Sequence, residues 1–200
     1  MIRPAAPSDA AEAVPLILDA IGSIAFVLTG TTDREEAGFI LNQFFRQKGN
    51  RVSYENAFVL EESKDALEPI PNHLLERSRN VLGVALIYDG SIARTLDEPL
   101  EKAAIQKSGR SDYRIPTEAE PSEFYLDTIS VAPKCQGRGF GRVLIEASCE
   151  HARRLRRDRI GLLVDIGNAA ARRLYERVGF RVEGKKQITG AEYFHMVRYL

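Results

Sequence analysis

Apolar residues recur along this chain at two different periods, and the places where the period changes divide it into elements. A short strand is expected at "IRP". The segment "PSDAAEAVPLILDAIGSIAFVL" then repeats its apolar positions at helical spacing, which predicts a helix capped by Ser8 or Asp9 and kinked or divided at Pro15. A second helix is expected from a cap at Thr32 or Asp33 to Lys48, with Phe39, Ile40, Phe44 and Phe45 on its face and "KGN" as its stop. "SYENAFVLEE" and "NVLGVALIYDG" read as strands closed by charge or glycine. From Asp89 to Pro121 the periodicity fades, apart from a helix around "LDEPLEKAAIQK", and a connection of that length is a candidate for function. The rest alternates: strand "EFYLDTISVA", a glycine-rich loop, a helix from 139 to about 156, strand "RIGLLVD", a helix over 168–178, and closing strands "FRVEGKKQ" and "AEYFHMVRY". No repeat, low-complexity tract or linker interrupts this order, so residues 1–200 are expected to form one domain.

Composition narrows the partners. With 44% hydrophobic residues the chain can fill a core, and 28 basic residues against 28 acidic ones leave no net field to draw in nucleic acid or an anionic membrane. Small ligands become the default. The arginine-rich "RRLRRDR" ends an amphipathic helix without interleaved aromatics and reads as a solvated face. Only Cys135 and Cys149 are present, without metal-ligand spacing, so neither a disulfide framework nor a metal site is expected and a reducing cytoplasm fits best. The opening residues lack the layout of a secretory signal, and the longest apolar run, Val14 to Leu28, is short and carries Asp19.

The densest chemical signal is "VAPKCQGRGFGRVLIEA". A strand that runs into a glycine-rich turn at a helix N-terminus gathers free backbone N–H groups and the positive end of the helix dipole, which is the environment a phosphate needs. A P-loop would require Gly-Lys-Ser/Thr, whereas Gly141 is followed by Arg142 and Val143. A dinucleotide fingerprint would require G-x-G-x-x-G, whereas Gly137, Gly139 and Gly141 are spaced G-x-G-x-G. Both nucleotide readings are disfavoured.

The motif Gln136-Gly137-Arg138-Gly139-Phe140-Gly141, following Val131-Ala132-Pro133, resembles the Gln/Arg-x-x-Gly-x-Gly/Ala signature of the GNAT superfamily of N-acetyltransferases. A second element, "NAAARRLYERVGF", resembles that superfamily's Asn-x-x-Ala-x-x-Leu-Tyr-x-x-x-Gly-Phe through Asn168, Ala171, Leu174, Tyr175, Gly179 and Phe180. The resemblance covers residues 123 to 200 and extends to the first half through the opening "IRPA" strand and helix. It implies a single α/β domain with a mixed, largely antiparallel sheet of six or seven strands flanked by helices, and acetyl-CoA-dependent acetylation of a primary amine without a metal. It further implies that the loop's main-chain N–H groups hold the pyrophosphate of acetyl-CoA, that Ile129 and Val131 pair their backbone with the pantetheine arm, and that Tyr175 protonates the departing thiolate. A non-catalytic acyl-CoA-binding module is the alternative, and a homodimer is an open assembly.

The remaining roles follow from local chemistry. A lysine-like amine has a pKa of ~10.4 and must lose a proton before it attacks. Asp127, inside the apolar strand "FYLDTISVA", is the first candidate base, directly or through water, and Glu123 the second. A salt-bridged Asp127 is the competing reading. Asn168 and Tyr175 are seven apart and share a helical face, although Asn168 could also simply cap its helix. Arg138 and Arg142 flank the loop as phosphate-neutralising candidates. His151, within the apolar arc of its helix, reads as a core histidine, and Cys135 as incidental. The acceptor is expected at the N-terminal helices and the 89–121 segment. Residues 89–123 hold eight acids and five bases, a mild preference for a cationic amine.

Overall fold

The computed structural model describes residues 1–62 and 81–200. Its sheet has seven strands: β1 (Ile2–Pro4), β2 (Ala57–Glu61), β3 (Val81–Asp89), β4 (Phe124–Val131), β5 (Arg159–Asp165), β6 (Arg181–Ile188) and β7 (Ala191–Tyr199), in the spatial order β1-β2-β3-β4-β5-β7-β6. Every pairing is antiparallel except that of β4 with β5. The architecture is thus the mixed, largely antiparallel α/β sheet that the motifs imply. Asn80, the expected start of β3, lies outside the described residues.

Two helical layers cover the sheet. On one face α1 (Ala10–Ile21) and α3 (Arg34–Phe45) pack over Val59, Val84 and Leu86, while α2 (Ile24–Thr29) packs against α4 (Ala93–Ser108). On the other face α5 (Phe140–Arg154) lays Leu144, Ile145, Cys149 and Ala152 over Ala85, Ile87 and Leu126, and α6 (Ala169–Arg177) adds Tyr175 beside Phe180. The alternation along β3, with successive side chains on opposite faces, is what a strand buried on both sides requires.

Several boundaries differ from the sequence expectation. The first helix runs unbroken through Pro15 and stops at Gly22, whose φ of +54° lies where side-chain-bearing residues are strained; α2 restarts two residues later. Asp9 does not bond the N-terminal amides of α1. Its carboxylate instead takes both Nη atoms of Arg3, at 2.7 and 2.8 Å, and the Ala6 N–H. Asp33 caps α3 through Oδ1 and the Glu36 N–H (2.7 Å), and the helix ends at Phe45 rather than Lys48. Within the 89–121 segment α4 extends over sixteen residues with Pro99 inside it, somewhat longer than the helix expected around "LDEPLEKAAIQK".

Strand β4 departs from regular pairing on both of its edges. It pairs with β5 only at Phe124↔Ile160 and Tyr125↔Gly161, and from Leu126 onward its edge towards β5 has no strand partner among the described residues. Its register against β3 also slips: Ile87 pairs Leu126 and Leu86 pairs Thr128, so Asp127 is the extra residue of a β-bulge. The sheet opens at that point.

Candidate active site

The opening between β4 and β5 is a cleft of about 580 Å³, walled by β4 residues from Asp127 to Val131, β5 residues Leu163 to Asp165, and the α1–α2 junction from Asp19 to Ile24. Gln136, Asn168, Ala171, Tyr175 and Tyr193 complete its lining, together with Arg51 and Glu118. Residues expected from two distant sequence motifs therefore meet here: Asp127, Ile129, Val131, Gln136, Asn168 and Tyr175.

Past Gln136, whose Nε2 donates to the Val131 carbonyl (3.1 Å), the chain turns through exposed Gly137, Arg138 and Gly139 into α5. Gly137 and Gly139 adopt φ of +74° and +82°, and a Cβ at either would enter open space. Gly139 is the N-cap of α5 and offers no side chain to the first turn, so the amides of Phe140, Gly141 and Arg142 point out with no acceptor from their own helix. Such a cradle suits an anion. Gly141 differs: a Cβ there would lie 3.3 Å from Leu174 Cδ2, so its bareness serves the packing of α5 on α6. Arg138 lays its guanidinium over the Phe140 ring at 5.1 Å, and Arg142 is exposed on the first turn.

Asn168 caps α6, accepting the Ala171 N–H at 3.0 Å, while also lining the cleft. Tyr175, two turns on, packs edge-on to Phe180, and burial pushes its phenol up to about 12. It therefore holds its proton throughout the neutral range.

The two carboxylates expected as bases are placed very differently. Asp127 reaches the cleft, but Oδ2 accepts from Arg51 Nε (2.5 Å) and the Tyr88 hydroxyl (2.7 Å), and Oδ1 accepts from Thr128 Oγ1 (2.8 Å). It is the salt-bridged acid of the competing reading. Glu123 does not line the cleft. Buried below its closed end, it accepts the Glu120 N–H through Oε1 (3.0 Å) and meets His195 Nε2 through Oε2 (2.9 Å).

Arg51 and Glu118 were invisible in the sequence. Arg51 is 2% exposed and binds Asp127, Glu118 Oε1 (2.5 Å, through Nη2) and, at 3.6 Å, Asp97 Oδ1. Burial works against its charge, but Asp127 and Glu118 more than offset this and hold the guanidinium pKa well above its ordinary range. Tyr125 donates to Glu118 Oε2 at 3.1 Å. Burial also pushes the Tyr88 and Tyr125 phenols well up, so both act as donors. Nothing in "GNRVS" or "PTEAE" marks these residues, whose partners lie 67 and 76 positions apart in the chain.

His151 is the half-buried core residue its position implied, with its ring 5.1 Å from Phe58 and its pKa lowered by burial. Cys135 and Cys149 are both buried and unpaired, and burial raises the Cys149 thiol to about 11. Among the described residues no group of three or more His, Cys, Asp or Glu side chains is arranged to hold a metal, and no helix is long and apolar enough to cross a membrane.

The sheet is thus opened between β4 and β5, with Gln136 and the glycine turn beside the opening and a protonated tyrosine in its wall. The family model described as "Acetyltransferase (GNAT) family" matches residues 53–180, and the chain belongs to that family. Segments of 63 and 59 residues are 40% and 45% identical to the mycothiol acetyltransferases of Gordonia bronchialis and Acidothermus cellulolyticus. Those segments cover 32% and 30% of this chain but 20% and 17% of the two proteins, so the chain spans about a fifth of the length of the curated relatives it matches. A solved structure described as an acetyltransferase superimposes with a TM-score of 0.75 at 29% identity, over 100% of this chain and 98% of the other. An N-acetyltransferase from Staphylococcus aureus shares the fold with a TM-score of 0.77 at 22% identity, over 98% and 99% of the two chains.

Proposed function

We propose that this protein is a cytoplasmic acetyl-CoA-dependent N-acetyltransferase that passes the acetyl group directly to a primary amine, with residues 1–200 acting as one catalytic unit. The observation that carries this reading is the meeting, on one cleft, of the unpaired edge of β4, Gln136 and the protonated phenol of Tyr175, with the bare amides of α5 following Gln136 by one glycine turn.

Acetyl-CoA would supply an activated acyl carbon as a thioester. The chain supplies everything else. Gly137 and Gly139 leave room for phosphate oxygens against the main chain, the amides of residues 140–142 and Gln136 receive them, and Arg138 and Arg142 contribute positive charge nearby. Ile129 and Val131 lie on the unpaired stretch of β4, whose backbone can take an extended ligand arm as a further strand would. Asn168 holds the start of α6 and, with it, Tyr175. Tyr175 keeps its proton at neutral pH and directs it at the leaving sulfur. Neither expected base is assigned that role: the Asp127 carboxylate is ion-paired with Arg51 and Glu123 does not line the cleft, so the amine's proton leaves to solvent.

Calorimetric titration with acetyl-CoA, CoA and ATP, followed by a CoA-release assay over a broad amine panel, tests the reading. Tight binding of both CoA species but not ATP, with CoA release dependent on an added amine, is the expected result. Binding without amine-dependent release from any member of the panel would reduce the protein to an acyl-CoA-binding module.

A further inference from the structure

The cluster around Arg51 is short of positive charge. Three carboxylates, Asp97, Glu118 and Asp127, face one guanidinium, and all four residues are nearly or completely buried. Unbalanced charge is costly where water is scarce, and it is relieved by a proton or by a cation brought from outside. Asp97 shows the first kind of relief: burial, reinforced by Asp127 and Glu118 and opposed by Arg51, pushes its carboxyl up to about 6. Its Oδ1, aimed into the cluster towards Arg51 Nη1, is a buried oxygen with no hydrogen-bond partner among the described residues. Two other cations lie close by: Arg94 is paired with Glu101 (2.6 Å), and Lys186 is committed to the Glu118 carbonyl (2.7 Å) and to Glu120 Oε1 (2.5 Å). Protonating Asp97 still leaves Glu118 and Asp127 opposite a single positive charge.

Those two carboxylates are the members of the trio that face the cleft. Their lone pairs are not exhausted. Each Glu118 oxygen accepts one hydrogen bond, and Asp127 Oδ1 also accepts one, so an incoming N–H donor finds acceptors on both. The α1–α2 junction adds Asp19, itself paired with Arg34, and β5 adds Asp165, with no further Lys or Arg in the lining. Tyr193 contributes a phenol that burial keeps protonated.

We propose that Glu118 and Asp127, held in register by Arg51, form a subsite for a second cationic group on the acceptor, so that the preferred substrate is a diamine or a larger polycationic amine rather than a simple monoamine. The proposal rests on the transferase reading for its location and deepens it by naming the acceptor class. Arg51 acts in it as a positioning residue. It fixes the bulged Asp127 and the 109–123 segment in one geometry and keeps the two carboxylates from repelling each other.

The test titrates the CoA-loaded protein with α,ω-diaminoalkanes and with n-alkylamines of matched length, in wild type and in Glu118→Gln, and then runs the same amines in the CoA-release assay. At least one diamine is expected to bind about tenfold or more tightly than its matched monoamine, the gap corresponding to ~1.4 kcal/mol. The gap should close in Glu118→Gln while affinity for acetyl-CoA stays unchanged, and it should narrow in raised salt. Equal affinity for diamine and monoamine, no binding of either, or a gap that survives Glu118→Gln in a folded variant would overturn the subsite. Asp127→Asn supplies the same readout should Glu118→Gln fail to fold. Selective diamine binding without CoA release would leave the subsite standing and remove the transferase reading instead.

Discussion

The carboxyl group of Glu123 lies directly over the Cα of Gly161, in the space a Cβ would otherwise occupy, and continues past it to His195. One side chain thus crosses from the start of β4, over β5, to β7, at the level where β4 and β5 make their two residue pairs.

Gly161→Ala should therefore be among the most damaging single-methyl additions in the chain, since its Cβ would fall on the buried carboxylate. A loss of about 2 kcal/mol or more is expected, because overpacking and a displaced buried charge act together. Denaturant unfolding measures it. The double variant Gly161→Ala with Glu123→Ala should lose less than the sum of the two single changes, and strict additivity would mean the two groups do not collide.

Gly139 and Gly141 should respond differently to the same substitution. Gly139→Val places a side chain in open space at a φ of +82°, so acetyl-CoA affinity should fall by ~10-fold or more, with a modest loss of stability from backbone strain. Gly141→Val presses on Leu174 and should chiefly lower the melting temperature. Calorimetric titration beside thermal unfolding separates the two effects. Equal losses of affinity would place both residues in the anion cradle.

Tyr175→Phe removes one oxygen and keeps the ring against Phe180. Near-normal acetyl-CoA affinity and melting temperature are expected, with kcat down ~10² to 10⁴-fold. A phenol raised to about 12 meets a leaving thiolate whose parent thiol ordinarily titrates near ~8.5, so outright transfer runs uphill and the hydroxyl contributes first as a hydrogen bond to the developing charge. Wild-type turnover in the variant would assign the proton to another donor.

Asp97 predicts a slope in stability against pH. Its carboxyl titrates at about 6 in the folded protein against an ordinary 3.8, so between those values the native state holds more protons than the unfolded chain and stability falls as pH rises through the window. In Asp97→Asn this decline is absent. The stability of wild type relative to the variant should drop by on the order of 3 kcal/mol between about pH 4 and about pH 7, because a tenfold change in proton affinity is worth ~1.36 kcal/mol. Parallel pH profiles from urea unfolding would locate the titration elsewhere.

The parts of this protein legible in its sequence are those written locally. Glycines at 137 and 139 mark a left-handed turn, the interval from Asn168 to Tyr175 marks one helical face, and the apolar run of "NVLGVALIYDG", closed by charge and glycine, marks a strand. Gly22 outranked Pro15 as the end of α1 because a positive φ breaks a helix outright, whereas this proline is carried within it. The acid side of the cleft was hidden because its order is made of partners far apart in the chain. Asp127 stood open between a base and a salt-bridged acid until the fold brought Arg51 to it, and Glu123 stood as the second candidate base although only Asp127 lines the cleft. No spacing rule anticipates either.

The meagre joint between β4 and β5 means that the reactants would be held by two different leaves of the molecule. β4, the bulge and the glycine turn belong to the stretch ending with α5, whereas Tyr175 and Tyr193 belong to the stretch from β5 onward. Two residue pairs and the Glu123 strap, with the packing of Gly141 on Leu174 and the Arg198–Glu146 ion pair (3.0 Å), set the angle at which these leaves meet. A small rotation there would move donor sulfur and phenol apart without altering either, and misalignment of that kind costs rate rather than affinity. In the proposed enzyme, residues outside the cleft lining, Glu123, Gly161 and His195 among them, would thus act on catalysis as the alignment screws of an instrument act on its beam.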